Sequence, residues 1–194
     1  SMRCCRSILI LYKVTFINNF VWAESKCRRG VFLGGGILVK SLVILNVHRV
    51  IFINNSACHG GAIHVSKFIK CSVENCSFIG NNATRNGGGL YIDRGGRARL
   101  YKITFINNKG KDVGGGIVFW LVFHCSIAMT YFTLNTADHG GGMFALGLGS
   151  RATATVYKVI FKKNSASNAQ HAIVLKYFDN YIAVIHCSFT GNHA

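Results

Sequence analysis

Residues 52–65 read FINNSACHGGAIHV, and this stretch decides the fold. It joins an FxxNxA motif to a small-residue triplet and then to an alternating apolar pair, Ile63/Val65. Working outward, FxxN recurs as FINN at 16–19, FIGN at 78–81, FINN at 105–108, FTLN at 132–135, FKKN at 161–164 and FTGN at 189–192, giving seven copies. An Ala follows two residues later at Ala57, Ala83, Ala137, Ala166 and Ala194. The Phe-to-Phe intervals are 36, 26, 27, 27, 29 and 28, so the period is near 27 and the first unit carries an insertion of about nine residues. Internal periodicity of this kind takes precedence over any local secondary-structure reading.

The triplets keep the same period. Ala62, Gly89, Gly116 and Gly142 close them, ten or eleven residues after Phe52, Phe78, Phe105 and Phe132. In the first unit the insertion delays Gly34-Gly35-Gly36, and the sixth shows Ala169-Gln170-His171-Ala172 instead. After each triplet comes an alternating pair, such as Leu90/Ile92 or Ile117/Phe119, the mark of a strand with one face buried. No unit shows the i, i+3, i+4, i+7 spacing of a helix. A propeller blade needs about 40 to 45 residues, and leucine-rich repeats need their own Leu and Asn spacing. A unit near 27 residues with about three short strands fits one coil of a parallel β-helix, and the chain reads as a single all-β solenoid over 1–194, about seven coils long.

Stacking at about 4.8 Å per coil assigns the motif residues a structural job. Phe16, Phe52, Phe78, Phe105, Phe132, Phe161 and Phe189 form one interior ladder; Val14, Val50, Cys76, Ile103, Thr130, Val159 and Cys187, two positions earlier, form another. Asn19, Asn55, Asn81, Asn108, Asn135, Asn164 and Asn192 stack at a corner, where each amide bonds backbone freed by the bend and the Asn of the next coil. Glycines at the following corner permit positive φ and close approach of coils.

The paired motifs FxxN and GG[GA][ILM] resemble the repeats of the chlamydial polymorphic membrane proteins and of similar right-handed parallel β-helix proteins. The resemblance covers nearly the whole chain. It implies a surface-exposed, extracellular β-helix acting in adhesion, carried in autotransporter relatives by a separate outer-membrane barrel. The chain departs from that pattern in three ways: it has no room for a barrel, every triplet but one ends in Gly, and its charge is high.

Composition bounds the chemistry. Half of the residues are apolar and 14% are charged, against roughly 25% in an average soluble domain. With 22 Lys and Arg against 6 Asp and Glu, the net charge is +16, and carboxylates for acid/base hydrolysis are scarce. The longest apolar run, residues 116–123, is far short of the roughly 20 that span a bilayer. Of eight cysteines, Cys71, Cys76, Cys125 and Cys187 fall at interior positions and are expected free. Cys71 and Cys125 share one position two coils apart, beyond disulfide reach. Cys27 and Cys58 are placed to pair, and Cys4 and Cys5 are undecided. No zinc spacing is present, and His59 and His139 read as loop histidines.

Candidate ligand-binding residues are few. Lys13, Arg49, Lys102 and Lys158 stand three before a motif Phe, with Tyr12, Tyr101 and Tyr157 beside three of them. Such a stripe suits an anionic glycan or cell surface; no nucleic-acid-binding signature accompanies it. Asp112 and Asp138 each precede their first Gly by two residues in adjacent coils, so their carboxylates fall within reach of a shared Ca²⁺ or a glycosidase pair, with Arg85 one coil earlier as the competing partner of Asp112. Regular short loops favour a non-enzymatic adhesive or structural β-helix without cofactor or metal; the alternative is a polysaccharide-binding or polysaccharide-degrading one. Because Ala194 completes the seventh FxxNxA and stands where the sequence stops, the expectation is that further coils continue the chain, or that copies stack end to end.

Overall fold

The computed structural model describes residues 7–21, 33–41, 43–168 and 171–193. Cys4, Cys5, Cys27, Ala169, Gln170 and Ala194 lie outside the described residues. The architecture is an all-β parallel solenoid, and every strand pair in it is parallel. One coil shows the path. The strand Ser77–Ile79 turns at Gly80 and Asn81 into Asn82–Asn86, turns again at Gly87, and continues as Leu90–Tyr101. That long strand bends at Arg94, and a corner at Lys102 leads to Thr104–Ile106, directly above Ser77–Ile79.

Repetition of this path builds three sheets. The Phe sheet has seven strands, Thr15–Ile17, Ile51–Ile53, Ser77–Ile79, Thr104–Ile106, Tyr131–Thr133, Ile160–Lys162 and Ser188–Thr190. Seven rungs bound about six complete turns, a slightly lower count than the seven coils expected from the motifs. A five-stranded sheet follows the Asn corner, and an eleven-stranded sheet carries both segments after the Gly corner, joined through the long strands Leu90–Tyr101 and Ile117–Ala128.

The interior is a set of columns. Phe52 pairs in register with Phe16 and Phe78, and consecutive rings from Phe16 to Phe189 stack at 4.8 to 5.1 Å between centroids, within 15° of parallel. Beside them, Leu9, Leu45, Cys71, Ala98, Cys125, Ala154 and Ile182 occupy one register position, which sets Cys71 and Cys125 two rungs apart with Ala98 between them. Cys71, Cys76, Cys125 and Cys187 are free thiols, while Cys58 is disulfide-bonded. Cys76 and Thr130 sit in the column two before Phe and satisfy their polar atoms on the backbone, Cys76 Sγ toward Glu74 O at 3.1 Å and Thr130 Oγ1 donating to Ala128 O at 3.0 Å.

The Asn column closes the first corner. Asn108 Oδ1 accepts from both the backbone N–H and Nδ2 of Asn81 at 3.0 Å, while its own Nδ2 donates to Phe78 O and to Asn135 Oδ1 at 2.9 Å. The same arrangement runs from Asn19 to Asn192. At the second corner Gly87 has φ +66, and a Cβ on Gly88 would stand 2.3 Å from Gly115 O, so only glycine admits the next coil there.

Candidate functional site

Outward-facing columns carry whatever chemistry this solenoid offers. Lys13, Arg49, Lys102 and Lys158 share a column with Asn75, Met129 and His186, all at φ 49 to 54. Lys13, Arg49, Lys102 and Lys158 are exposed at this left-handed corner. The ammonium groups of Lys13, Lys102 and Lys158 each lie 5.2 Å from the ring centroid of the preceding Tyr12, Tyr101 or Tyr157. Lys102 and Lys158 also flank a groove of about 610 Å³ together with Tyr131, Met129 and His186. Cations two coils apart above tyrosines thus border an open trough.

The structure brings Arg85 and Asp112 together, Nε to Oδ2 at 3.1 Å, as an exposed ion pair. Asp138 instead accepts from Ser167 Oγ at 2.6 Å, in the following coil. Counted from the Gly side the three positions stay in register, because Val113 bridges both Asn86 and His139, and each carboxylate turns to its other neighbouring coil, Asp112 to Arg85 and Asp138 to Ser167. Two residues lie between Ala83 and Asn86 but one between their partners Ala57 and His59, so the coil carrying Arg85 has one residue more at this corner, and the coil of Asp112 keeps it. The ten-versus-eleven spacing between Phe and the triplet encodes the same difference. Among the described residues no group of three His, Cys, Asp or Glu side chains is arranged to hold a metal.

A second site lies outside the solenoid where the chain leaves the Gly corner. The outward positions there, His64, Tyr91, Val118, Phe144 and Val174, are buried; the last four form a cluster separate from the interior, with Trp120 and Leu146 packed against it. At one end this column becomes polar and opens as a pocket of about 310 Å³. Tyr91 stands between two imidazoles, 5.1 Å from the His59 ring and 4.9 Å from the His64 ring by centroids. Asp93, 4% exposed, holds Arg94 through Nε and Nη2 at 2.9 Å each to Oδ2. Ser66 completes the floor, and exposed Lys40, Ser41 and Lys67 form the rim.

Burial governs the charges in this pocket. It lowers the His64 pKa to about 3, with His59 and Lys40 adding to the effect, and it lowers that of His59 too, with Arg85 assisting. Tyr91 is pushed well up by burial and by the Asp93 carboxylate. Both imidazoles are therefore neutral at pH 7 and Tyr91 keeps its proton, leaving Lys40 and Lys67 as positive charges in no ion pair among the described residues. The Nδ1 atoms of His59 and His64 and Oδ1 of Asn86 are buried without a hydrogen-bond partner among the described residues.

Residues 49–66 and 75–93 match the Chlamydia polymorphic membrane protein repeat. The chain is a β-helix repeat protein resembling the chlamydial polymorphic membrane proteins. The matched segments contain His59, His64, Ser66, Tyr91 and Asp93, while Lys40, Ser41, Lys67 and Arg94 of the pocket lie outside them. No curated protein and no solved structure matched the chain. A repeat of this family suggests a surface-associated, adhesin-like β-helix. Among the described residues no helix is long and apolar enough to cross a membrane.

The pocket is not legible in the motifs: His59 reads as a loop histidine, and His64, Tyr91 and Asp93 belong to no motif of their own. Their signal was compositional: outward positions after the triplets read Leu38, His64, Tyr91, Val118, Phe144 and Val174, mostly apolar or aromatic where a solvated face would be polar.

Proposed function

We propose that this chain is a non-enzymatic β-helix displayed at a cell surface, which adheres through its outer columns. The observation that carries the reading is the family repeat on a solenoid whose corner column sets Lys13, Arg49, Lys102 and Lys158 in register. A rigid scaffold that sets Lys or Arg on four of the seven rungs of one column offers several weak contacts to an anionic surface, and their avidity exceeds any one of them. The +16 charge adds long-range attraction that salt screens.

The proposal includes assembly along the solenoid axis. On the last Phe rung Phe189 is 49% exposed, and Ile182, Val184 and Ile185 beside it are exposed as well. A second copy or a further coil stacked there would cover them and continue the Phe and Asn ladders.

Beads coated with the purified chain test adhesion directly. They are expected to bind cultured epithelial cells in a salt-sensitive way, and Lys102→Glu with Lys158→Glu is expected to reduce binding severalfold. Adherence no greater than that of albumin-coated beads would overturn the reading. Sedimentation velocity across a concentration series tests assembly; a monomer throughout would remove that part.

A further inference from the structure

We infer that the pocket formed by His59, His64, Ser66, Tyr91, Asp93 and Arg94 binds a single acidic sugar residue, a uronate or its sulfated counterpart, within a glycan chain. The inference rests on the adhesive reading only in naming what the surface meets; the pocket stands on its own geometry. Its volume of about 310 Å³ is at the low end for ligand sites, which suits one sugar ring and not an extended oligosaccharide.

Three features select the ligand class. The first is charge. Lys40 and Lys67 at the rim are in no ion pair among the described residues, and the buried Asp93 carboxylate is engaged by Arg94, so the pocket offers an anion unopposed cations. Arg94 Nη1 takes no part in that ion pair and keeps its donors for a ligand.

The second is unmet hydrogen bonding. His64 is 3% exposed and neutral, a hydrogen bond with the His59 backbone engages its ring, and its Nδ1 has no partner; His59 Nδ1 is in the same state. A buried polar atom left unpaired is destabilising, a penalty relieved when a hydroxyl-bearing ligand brings in donors and acceptors together. Ser66 and Ser41 add hydroxyls at the floor and rim.

The third is the aromatic wall. Tyr91, 7% exposed, packs against both imidazoles, tilted 46° from His59 and 40° from His64, so the three rings form one aromatic side of the pocket, and the half-buried His59 ring is the part of it open to the C–H face of a pyranose. A metal ion fits less well, since no three ligating side chains converge among the described residues. A simple inorganic anion would leave the aromatic wall uncovered.

Calorimetric titration of the full chain with three tetrasaccharides tests the inference: one from hyaluronan, carrying carboxylates alone; one from heparin, carrying carboxylates and sulfates; and the neutral N-acetylglucosamine tetramer. At least one acidic tetrasaccharide is expected to bind at one site per chain, with the neutral one tenfold or more weaker. Binding to hyaluronan identifies carboxylate as sufficient; binding to heparin alone assigns the sulfate. Lys40→Ala with Lys67→Ala, both on exposed side chains, is expected to weaken binding tenfold or more, since hydrogen bonds to charged groups are the stronger class. His64→Phe should do the same, and its melting curve reports whether it folds. Arg151→Ala with Lys162→Ala, exposed cations outside both the pocket and the corner column, should leave this affinity unchanged. Absence of acidic-sugar binding by the wild-type chain, equal binding of the neutral tetramer, or binding that survives Lys40→Ala with Lys67→Ala undiminished would each overturn the inference. Bead adherence is read separately, so an adhesive chain with an empty pocket and a sugar-binding chain that does not adhere are distinguishable.

Discussion

Replacing Asn108 by Ala removes the side chain from the middle of the Asn ladder. Four hydrogen bonds go with it: those its Oδ1 accepts from Asn81 N–H and Asn81 Nδ2, and those its Nδ2 donates to Phe78 O and Asn135 Oδ1. Asn108 is fully buried, so water cannot replace them. At about 1 kcal/mol for each bond, more where a buried donor such as Asn81 N–H is left unpaired, the loss is about 4 kcal/mol. Asn19, on the first Phe rung and half-buried, provides the comparison. Its side chain makes one described ladder bond, Nδ2 to Asn55 Oδ1 at 2.8 Å, so Asn19→Ala should cost about 1 kcal/mol. Urea unfolding followed by circular dichroism measures both. Solenoids can unfold coil by coil, so amide exchange at Asn81 and Asn135 should accompany it, with protection lost at the coils next to residue 108 first. A cost below about 1 kcal/mol for Asn108→Ala, or equal costs at the two positions, would refute the ladder as a stabilising element.

Three further outcomes follow from burial and close approach. Burial pushes the thiols of Cys71 and Cys125 up to about 12 and that of Cys76 to about 11, so iodoacetamide at neutral pH should leave all three unlabelled in the native protein and modify Cys187 first; labelling of Cys71 as fast as Cys187 would contradict the register. Gly88→Ala should lower the melting temperature more than Gly149→Ala, because a Cβ at Gly88 meets Gly115 O at 2.3 Å, whereas one at Gly149 meets nothing within 4 Å and adds only the strain of φ +72; equal effects would show that the coils are not in close contact at the Gly corner. His64 has a folded pKa of about 3, below the ordinary 6.5, so the unfolded chain takes up its proton first and stability falls as pH drops below 6.5. That contribution amounts to about 2 kcal/mol by pH 5, and a His64→Gln variant with the same acid sensitivity as the wild type would show that His64 is not its source.

The coil was legible because a solenoid writes its structure into the chain as period. Phe and Asn recur at positions where only stacking on their own kind suits them, and the ring and amide ladders follow from sequence position alone. The corners were less legible. Lys13, Lys102 and Lys158 adopt positive φ, which Lys disfavours, and nothing about a single lysine announces that. Asp112 and Asp138 are equivalent when counted from the Gly side, yet one carboxylate turns to Arg85 and the other to Ser167 in the opposite neighbouring coils, a choice that spacing does not encode. The pocket was hidden for a related reason. Alternation tells inside from outside, but it cannot say that an outward position beside the Gly corner is buried by its neighbours in the adjoining coils, as His64 and Tyr91 are.

The central claim is that equivalent positions stack one per coil in a straight parallel solenoid, and spin-label distances measure it most directly. In a Cys187→Ser background, label pairs joining residue 160 to residues 104, 77, 51 and 15 span two, three, four and five rungs of the Phe sheet. The separations should rise by about 4.8 Å per rung, from about 10 Å to about 24 Å. Distances that do not increase with rung number, or that increase by irregular steps, would contradict the account.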